Sequence, residues 1–376
     1  MPRDLAGDVS RPRAAAGAKL PEPKPAEPKL AGLEALRGAA ALYVVAHHAA
    51  ALNDWGGPLR LLTAFGQEAV IVFFVLSGFV IALAQERTSQ PGFRAYLRRR
   101  AVRIFPIYLI AIALSAALAG TIADPRVRTD LATLLGNLLL VQDISSLKPG
   151  VAVDIFGGNF PLWSLSYEWW FYLGFYALWR YRPEGLRDRD VAAAGALAVL
   201  AYAAVPNQLA LFVAYFPIWW AGARLAHLHL RGGPAPWSGF GPLALVAGLW
   251  AAIAALEIAR GAAVSPGVYP LLPLRHALAG LVVVALALGL RRRRPGWEAR
   301  RIWPLTSLAG VSYAIYVFHY PIMASQLFAP LPPAIRLPVQ LLLVLALATL
   351  AEHAVQPLAN RLFRGTVQRS GEVRRA

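Results

Sequence analysis

Residues 33–52 read LEALRGAAALYVVAHHAAAL, a twenty-residue run that is apolar apart from Glu34, Arg37, Tyr43 and the pair His47-His48. About 20 mostly apolar residues is the length of one membrane crossing. An ionisable side chain inside such a crossing costs about 2.5–3.5 kcal/mol, so each one asks for a reason. Working outward, nine further stretches of similar length and composition follow: 66–86, 104–123, 162–179, 190–206, 208–226, 240–258, 271–290, 305–328 and 337–356. The pattern predicts an all-α polytopic membrane helix bundle of about ten transmembrane helices. The fourth stretch carries Glu168, and the fifth and sixth are separated only by the turn Pro206-Asn207.

Composition agrees. Hydrophobic residues are 57% of the 376-residue chain, above the roughly 45–50% of a soluble domain, and the mean hydropathy is +0.50. Cysteine is absent, which excludes disulfide frameworks and thiolate metal sites. The net charge of +17 would suggest nucleic acid in a soluble protein. Here it maps onto topology: with the N-terminus inside, the inner segments hold 29 Lys and Arg, the outer segments 7, and Arg37 lies within the first helix. That distribution puts both termini in the cytoplasm and makes nucleic acid an unexpected partner. Residues 1–32, with PEPKPAEPK, are expected to be a disordered cytoplasmic tail, 33–360 the membrane domain, and 361–376 a basic tail. The one long outer loop, 124–161, contains DLATLLGNLLLVQ, which reads as an amphipathic helix lying on the membrane. No internal repeat of the transporter type appears.

Polar residues in the spans carry the functional reading. Arg37 and His48 are eleven residues apart; at about 100° and 1.5 Å per residue they share one helix face, about 16 Å apart. His47 points away from that face, and Glu34 is placed to pair with Arg37. The third helix opens LRRRAVRIFPIY, with Arg99, Arg100 and Arg103 at its basic end. Guanidinium groups suit phosphate oxygens, and cations at a helix N-terminus are relieved by a bound anion; positive-inside anchoring explains the same run without a ligand. In FPLWSLSYEWWFYLGFY, Ser164 and Glu168 are one turn apart, and a carboxylate among tryptophans must be paired, hydrogen-bonded or neutral. In SYAIYVFHYP, Ser312, Tyr316 and His319 form one stripe. FFVLSGF places Ser77 and Gly78 where close helix packing is expected. Glu352, His353, Arg275 and His276 are weaker signals of the same kind. Each group alone is also explained as snorkelling or interhelical glue; five helices carrying them suggest a hydrated internal site. No metal motif, glycine-rich phosphate loop or nucleophile elbow is present.

Taken in order, LEALRGAAALYVVAHH, FFVLSGFVI, RRRAVRIFPIY, WSLSYE, SYAIYVFHYP and EHAVQP resemble the acyltransferase 3 family of bacterial membrane O-acyltransferases, over about residues 33–360. Its Arg–ten residues–His motif falls on Arg37 and His48, its RxxR motif on Arg100 and Arg103, and its Trp-Ser-Leu…Glu motif on Trp163, Ser164, Leu165 and Glu168. The ninth-helix pattern falls on Ser312, Tyr313, Tyr316 and His319. Some members carry a fused extracytoplasmic SGNH-type domain, for which this chain shows no room. The resemblance implies a multi-pass protein of the bacterial inner membrane with no permanently bound cofactor. It transfers an acyl group, acetyl as the expected case, from cytoplasmic acyl-CoA to a hydroxyl of a carbohydrate or glycolipid. His48 would be the general base, with Arg37 and Glu168 in the catalytic group. Arg99, Arg100 and Arg103 would hold the donor's phosphates, and Glu34, Ser164, Ser312, Tyr316 and His319 would line the substrate path. A transporter or flippase without acyl chemistry is the main alternative reading, and a scaffold held together by its polar groups is a third.

Overall fold

The structure, a computed structural model, describes residues 31–87, 92–232, 237–293 and 299–363. The expected tails, residues 1–30 and those beyond 363, lie outside them. Every regular element among the described residues is helical: α1 (Ala31–Leu52), α2 (Gly57–Leu62), α3 (Gly66–Glu86), α4 (Phe93–Leu118), α5 (Leu131–Leu138), α6 (Trp163–Tyr181), α7 (Glu184–Ala204), α8 (Gln208–Arg231), α9 (Gly241–Ala259), α10 (Leu271–Arg293), α11 (Ala299–Ala309), α12 (Ser312–Ala324) and α13 (Pro333–Leu350), the last running on through a π turn at Ala351–Val355.

Seven segments among the described residues are long and apolar enough to cross a membrane: Ala31–Leu52, Gly57–Glu86, Phe93–Thr121, Gln208–Arg231, Gly241–Ala259, Leu271–Leu290 and Pro333–Phe363. The remaining three predicted stretches are helical but differ in kind. Stretch 162–179 is α6, whose polarity comes from its serines, tyrosines and Glu168; 190–206 lies in α7, which starts with the charged turns EGLRDRD. Stretch 305–328, expected as one helix, breaks at Gly310-Val311 into α11 and α12, and the 13 residues of α12 are too few to span alone.

Small residues set the tightest contacts. A methyl group added at Gly78 would fall 2.0 Å from the Trp219 carbonyl oxygen, and one at Gly222 would fall 2.0 Å from that of Val75, so α3 and α8 approach backbone to backbone. The packing expected of Gly78 is therefore present. Gly38 brings α1 equally close to Leu305 of α11, one residue after Arg37.

Prolines inside helices strip a partner from the carbonyl four residues earlier, and buried amides fill the gap. Pro106 frees the Val102 carbonyl, which accepts from Gln356 Nε2 at 2.7 Å. Pro321 frees the Val317 carbonyl, which accepts from Asn159 Nδ2 at 2.9 Å. These amides tie α4 to α13 and the loop before α6 to α12, fixing the elements that carry the polar stripe.

The 119–162 connection packs against the bundle end opposite the arginines. Its expected amphipathic helix is present but short: α5, capped by Asp130 accepting from the Thr133 N–H at 2.9 Å, leaves Leu131, Leu135 and Leu139 exposed on one side. Below it lies a feature the charge count missed. Lys148, counted as an outer-loop cation, is 2% exposed and 2.7 Å from Asp143, itself fully buried. Tyr167 donates to the same carboxylate at 2.5 Å, and the Lys148 ammonium sits 4.4 Å over the Trp163 ring. Burial lowers the Lys148 pKa, and the Asp143 carboxylate opposes that shift. Gln142 closes the connection: it donates to the Leu162 carbonyl at 2.9 Å, and its own carbonyl accepts from Ser166 at 2.7 Å. The first turn of α6 is thereby held in place.

Candidate active site

A cavity of about 310 Å³ opens between α1, α3, α4, α6 and α12 at the arginine-bearing end. Its polar lining is Arg37, Ser77, Arg100, Arg103, Ser164, Glu168, Ser312 and the tyrosines 172, 313 and 316; Phe73, Phe74, Leu76 and Val80 supply apolar wall. Five helices thus converge on one site, and of the eleven candidate site residues expected from sequence seven meet there: Arg37, Arg100, Arg103, Ser164, Glu168, Ser312 and Tyr316.

Glu168 is held by hydroxyls. Ser77 donates to its Oε1 at 2.6 Å and Tyr172, one turn along α6, donates to the same oxygen at 2.5 Å. Trp219 Nε1 in turn donates to Ser77 Oγ at 3.2 Å. Ser77 is therefore more than a small packing residue: it fixes the carboxylate's rotamer, with the second oxygen unconstrained by it. Sequence reading missed Ser77 and Tyr172 as Glu168 partners, although Tyr172 sits at the i+4 position that a helical carboxylate reaches.

The arginines divide. Arg103 forms a two-pronged pair with Glu352, at 2.7 and 3.0 Å, and its guanidinium lies 5.2 Å over the Tyr313 ring. The partnership ties α4 to α13, and Arg103, expected to meet the donor's phosphates, also lines the cavity. Glu352 sits in the π turn, where the widened helix carries it to Arg103. Arg100 lines the cavity with its buried Nε lacking a partner, over the Tyr96 ring at 5.7 Å. Arg99 is exposed and does not line the cavity. Arg37 turns into the cavity that holds Glu168; the expected Glu34–Arg37 ion pair is not formed among the described residues, and Glu34 does not line the cavity.

Tyr316 lines the cavity too. Its hydroxyl donates to the Pro161 carbonyl at 2.6 Å and pairs with Ser164 Oγ at 2.8 Å, stapling α12 to the start of α6. His48 and His319 do not line the cavity, so His48, expected deep within the same space as Arg100, lies outside its lining. The two histidines are close: their ring centroids are 5.2 Å apart, and the Tyr320 ring packs edge-on against His48 at 4.9 Å. The His47 Nδ1 donates to the Thr63 carbonyl at 2.7 Å, while its ring, expected to diverge from His48, packs edge-on against it at 4.9 Å. The Tyr316 and His319 rings are 6.1 Å apart, so the cavity wall at Tyr316 is a ring neighbour of His319, which in turn neighbours His48.

A family model described as an acyltransferase domain matches residues 30–352. Over 158 residues, 40% of this chain and 39% of the relative, the sequence is 37% identical to acyltransferase MdmB of Streptomyces mycarofaciens. Over 96 residues, 23% of this chain and 43% of the relative, it is 38% identical to protein 2 in picA locus of Rhizobium radiobacter. The chain spans about two fifths of the length of these curated relatives. No solved structure matches it. The family match starts one residue before α1 and ends at Glu352, taking in the whole cavity, His48 and His319: the chain belongs to the acyltransferase 3 family.

Proposed function

We propose that the protein is a membrane O-acyltransferase that moves an acyl group, acetyl in the simplest case, from acyl-CoA to a hydroxyl of a carbohydrate-type acceptor. The observation that carries this reading is the cavity itself, lined by an arginine whose buried Nε lacks a partner and by Tyr316, whose ring is 6.1 Å from that of His319. The basic end faces the cytoplasm of a bacterial cell by the positive-inside distribution, in a bundle of about ten crossings with both termini on that side.

The cavity volume suits part of a donor and not all of it. The nucleotide phosphates rest at the mouth on Arg100, with Arg99 beside it, and the narrow pantetheine arm enters along Phe73, Phe74 and Val80. Glu168 and Arg37 flank the arm. To bring the thioester to His48, the arm displaces the Tyr316 hydroxyl from Ser164 and the Pro161 carbonyl. The acceptor oxygen then attacks the thioester carbon while His48 takes its proton; the carbon–sulfur bond breaks, and the leaving thiolate takes that proton as the free thiol. General-base catalysis of this kind contributes about 10²–10⁴-fold.

Mass spectrometry of cell glycans and lipids, with and without the intact gene, tests the assignment. Loss of an acyl mass increment from a hydroxylated component is expected when the gene is disrupted. An unchanged acylation profile combined with altered distribution of a glycan or lipid across the membrane would favour a transporter instead.

A further inference from the structure

We propose that His319 is a positioning residue for His48: its Nε2 is fixed as a hydrogen-bond acceptor and holds the His48 ring in the orientation that takes the acceptor's proton. This rests on the acyltransferase reading above. His319 Nδ1 is faced by two backbone carbonyls, Tyr316 O at 2.8 Å and Ile315 O at 3.1 Å. A carbonyl only accepts, so Nδ1 carries the hydrogen; in the neutral ring Nε2 then presents a lone pair. That Nε2 is buried and has no partner, and the residue is 0% exposed. A buried acceptor left unpaired is unfavourable, so the site gains when a donor reaches it.

The nearest aromatic nitrogen ring is that of His48. A centroid separation of 5.2 Å leaves room between facing ring nitrogens for one hydrogen bond of about 2.9 Å, after a rotation of the His48 ring. Tyr320 packs edge-on against His48 at 4.9 Å, as does His47 at 4.9 Å, whose Nδ1 is taken by the Thr63 carbonyl. The helix that carries His319 is pinned by the Asn159 amide on the Val317 carbonyl. One nitrogen of His48 then donates to His319 Nε2, and the other is left with its lone pair toward the acceptor hydroxyl. When that hydroxyl's proton moves to His48, the positive charge forms beside the His319 lone pair. The proton leaves His48 for the thiolate in the next step, so His319 ends the cycle unchanged.

Two substitutions separate this from a packing role. His319→Asn keeps an amide near the Nδ1 position, able to donate to the carbonyls, and presents nothing at Nε2. His319→Gln carries its carboxamide oxygen near the Nε2 position. Wild type, both variants and His48→Ala are purified in lipid nanodiscs, and thiol release from acetyl-CoA is followed with membrane glycolipid extract as acceptor. We expect His319→Asn to lower kcat about tenfold or more, with KM for acetyl-CoA within about twofold, and His319→Gln to retain several times the kcat of the Asn variant. Equal kcat in the two variants, or a loss that appears in KM alone, overturns the proposal. If the Asn variant loses its helical circular dichroism, the Gln variant decides: retained turnover supports the proposal, and lost turnover with an intact spectrum overturns it. Failure of the underlying reading looks different, since wild type then releases no thiol, or His48→Ala releases it as fast as wild type.

Discussion

Replacing Tyr316 by Phe removes one hydroxyl and leaves the ring that lines the cavity beside His319. The hydroxyl makes two hydrogen bonds, to the Pro161 carbonyl at 2.6 Å and to Ser164 Oγ at 2.8 Å. Each is worth about 0.5–1.5 kcal/mol net. Pro161 keeps a longer bond from Ser164 Oγ at 3.4 Å, so its carbonyl is not left bare. The substitution should therefore destabilise the folded protein by about 1–3 kcal/mol. If the donor has to break those same two bonds, the variant binds it more easily: a difference of about 1.4 kcal/mol corresponds to tenfold in affinity, because a ligand's apparent affinity includes the cost of reaching its competent state. The expected pair of results is a lower melting temperature in nanodiscs and a KM for acetyl-CoA reduced at least about fivefold, the low end of that range of about 1–3 kcal/mol. A lower melting temperature with an unchanged or raised KM would refute the gating role and leave Tyr316 as a strut or a direct donor ligand.

Three further outcomes follow from the geometry. Asp143→Ala leaves the Lys148 ammonium buried without its partner and should cost about 3–5 kcal/mol, read as a large fall in melting temperature; a change under about 1 kcal/mol would mean that water reaches the pair. Arg100→Gln should raise KM for acetyl-CoA about tenfold with little effect on kcat, as loss of a charge-assisted phosphate contact does, and equal KM for acetyl-CoA and for a dephosphorylated analogue in wild type would remove that role. Glu168→Gln keeps an oxygen that accepts from Ser77 and Tyr172, so the melting temperature should move little. If the carboxylate charge serves the reaction, kcat falls about tenfold, and an unchanged kcat makes Glu168 a structural hydroxyl anchor.

The spans and the order of the motifs were legible because hydrophobic length and fixed local spacing are one-dimensional properties. The close approach at Gly78 is a consequence of side-chain size, which can be read from a string. What escaped depended on residues far apart in the chain. Arg103 finds Glu352 from 249 positions away, on a π turn that local spacing does not announce. Lys148 looked like a solvated loop charge because burial by Trp163 and Tyr167 is a property of the folded connection. The break at Gly310-Val311 hid inside an apolar run whose mean hydropathy does not record a change of helix axis. The tie at Tyr316 was equally invisible: of the stripe Ser312, Tyr316 and His319, the first two line the cavity, and the tyrosine hydroxyl is bonded across to Pro161.

The central claim is that His48 removes the acceptor's proton during acyl transfer from a donor entering through the arginine-lined cavity. Its most direct test is thiol release from acetyl-CoA by purified wild type and His48→Ala in nanodiscs, with membrane glycolipid extract present and circular dichroism recorded on both. The account predicts a loss of about 10²–10⁴-fold in the variant with an unchanged helical spectrum; turnover in His48→Ala within a few-fold of wild type would contradict it.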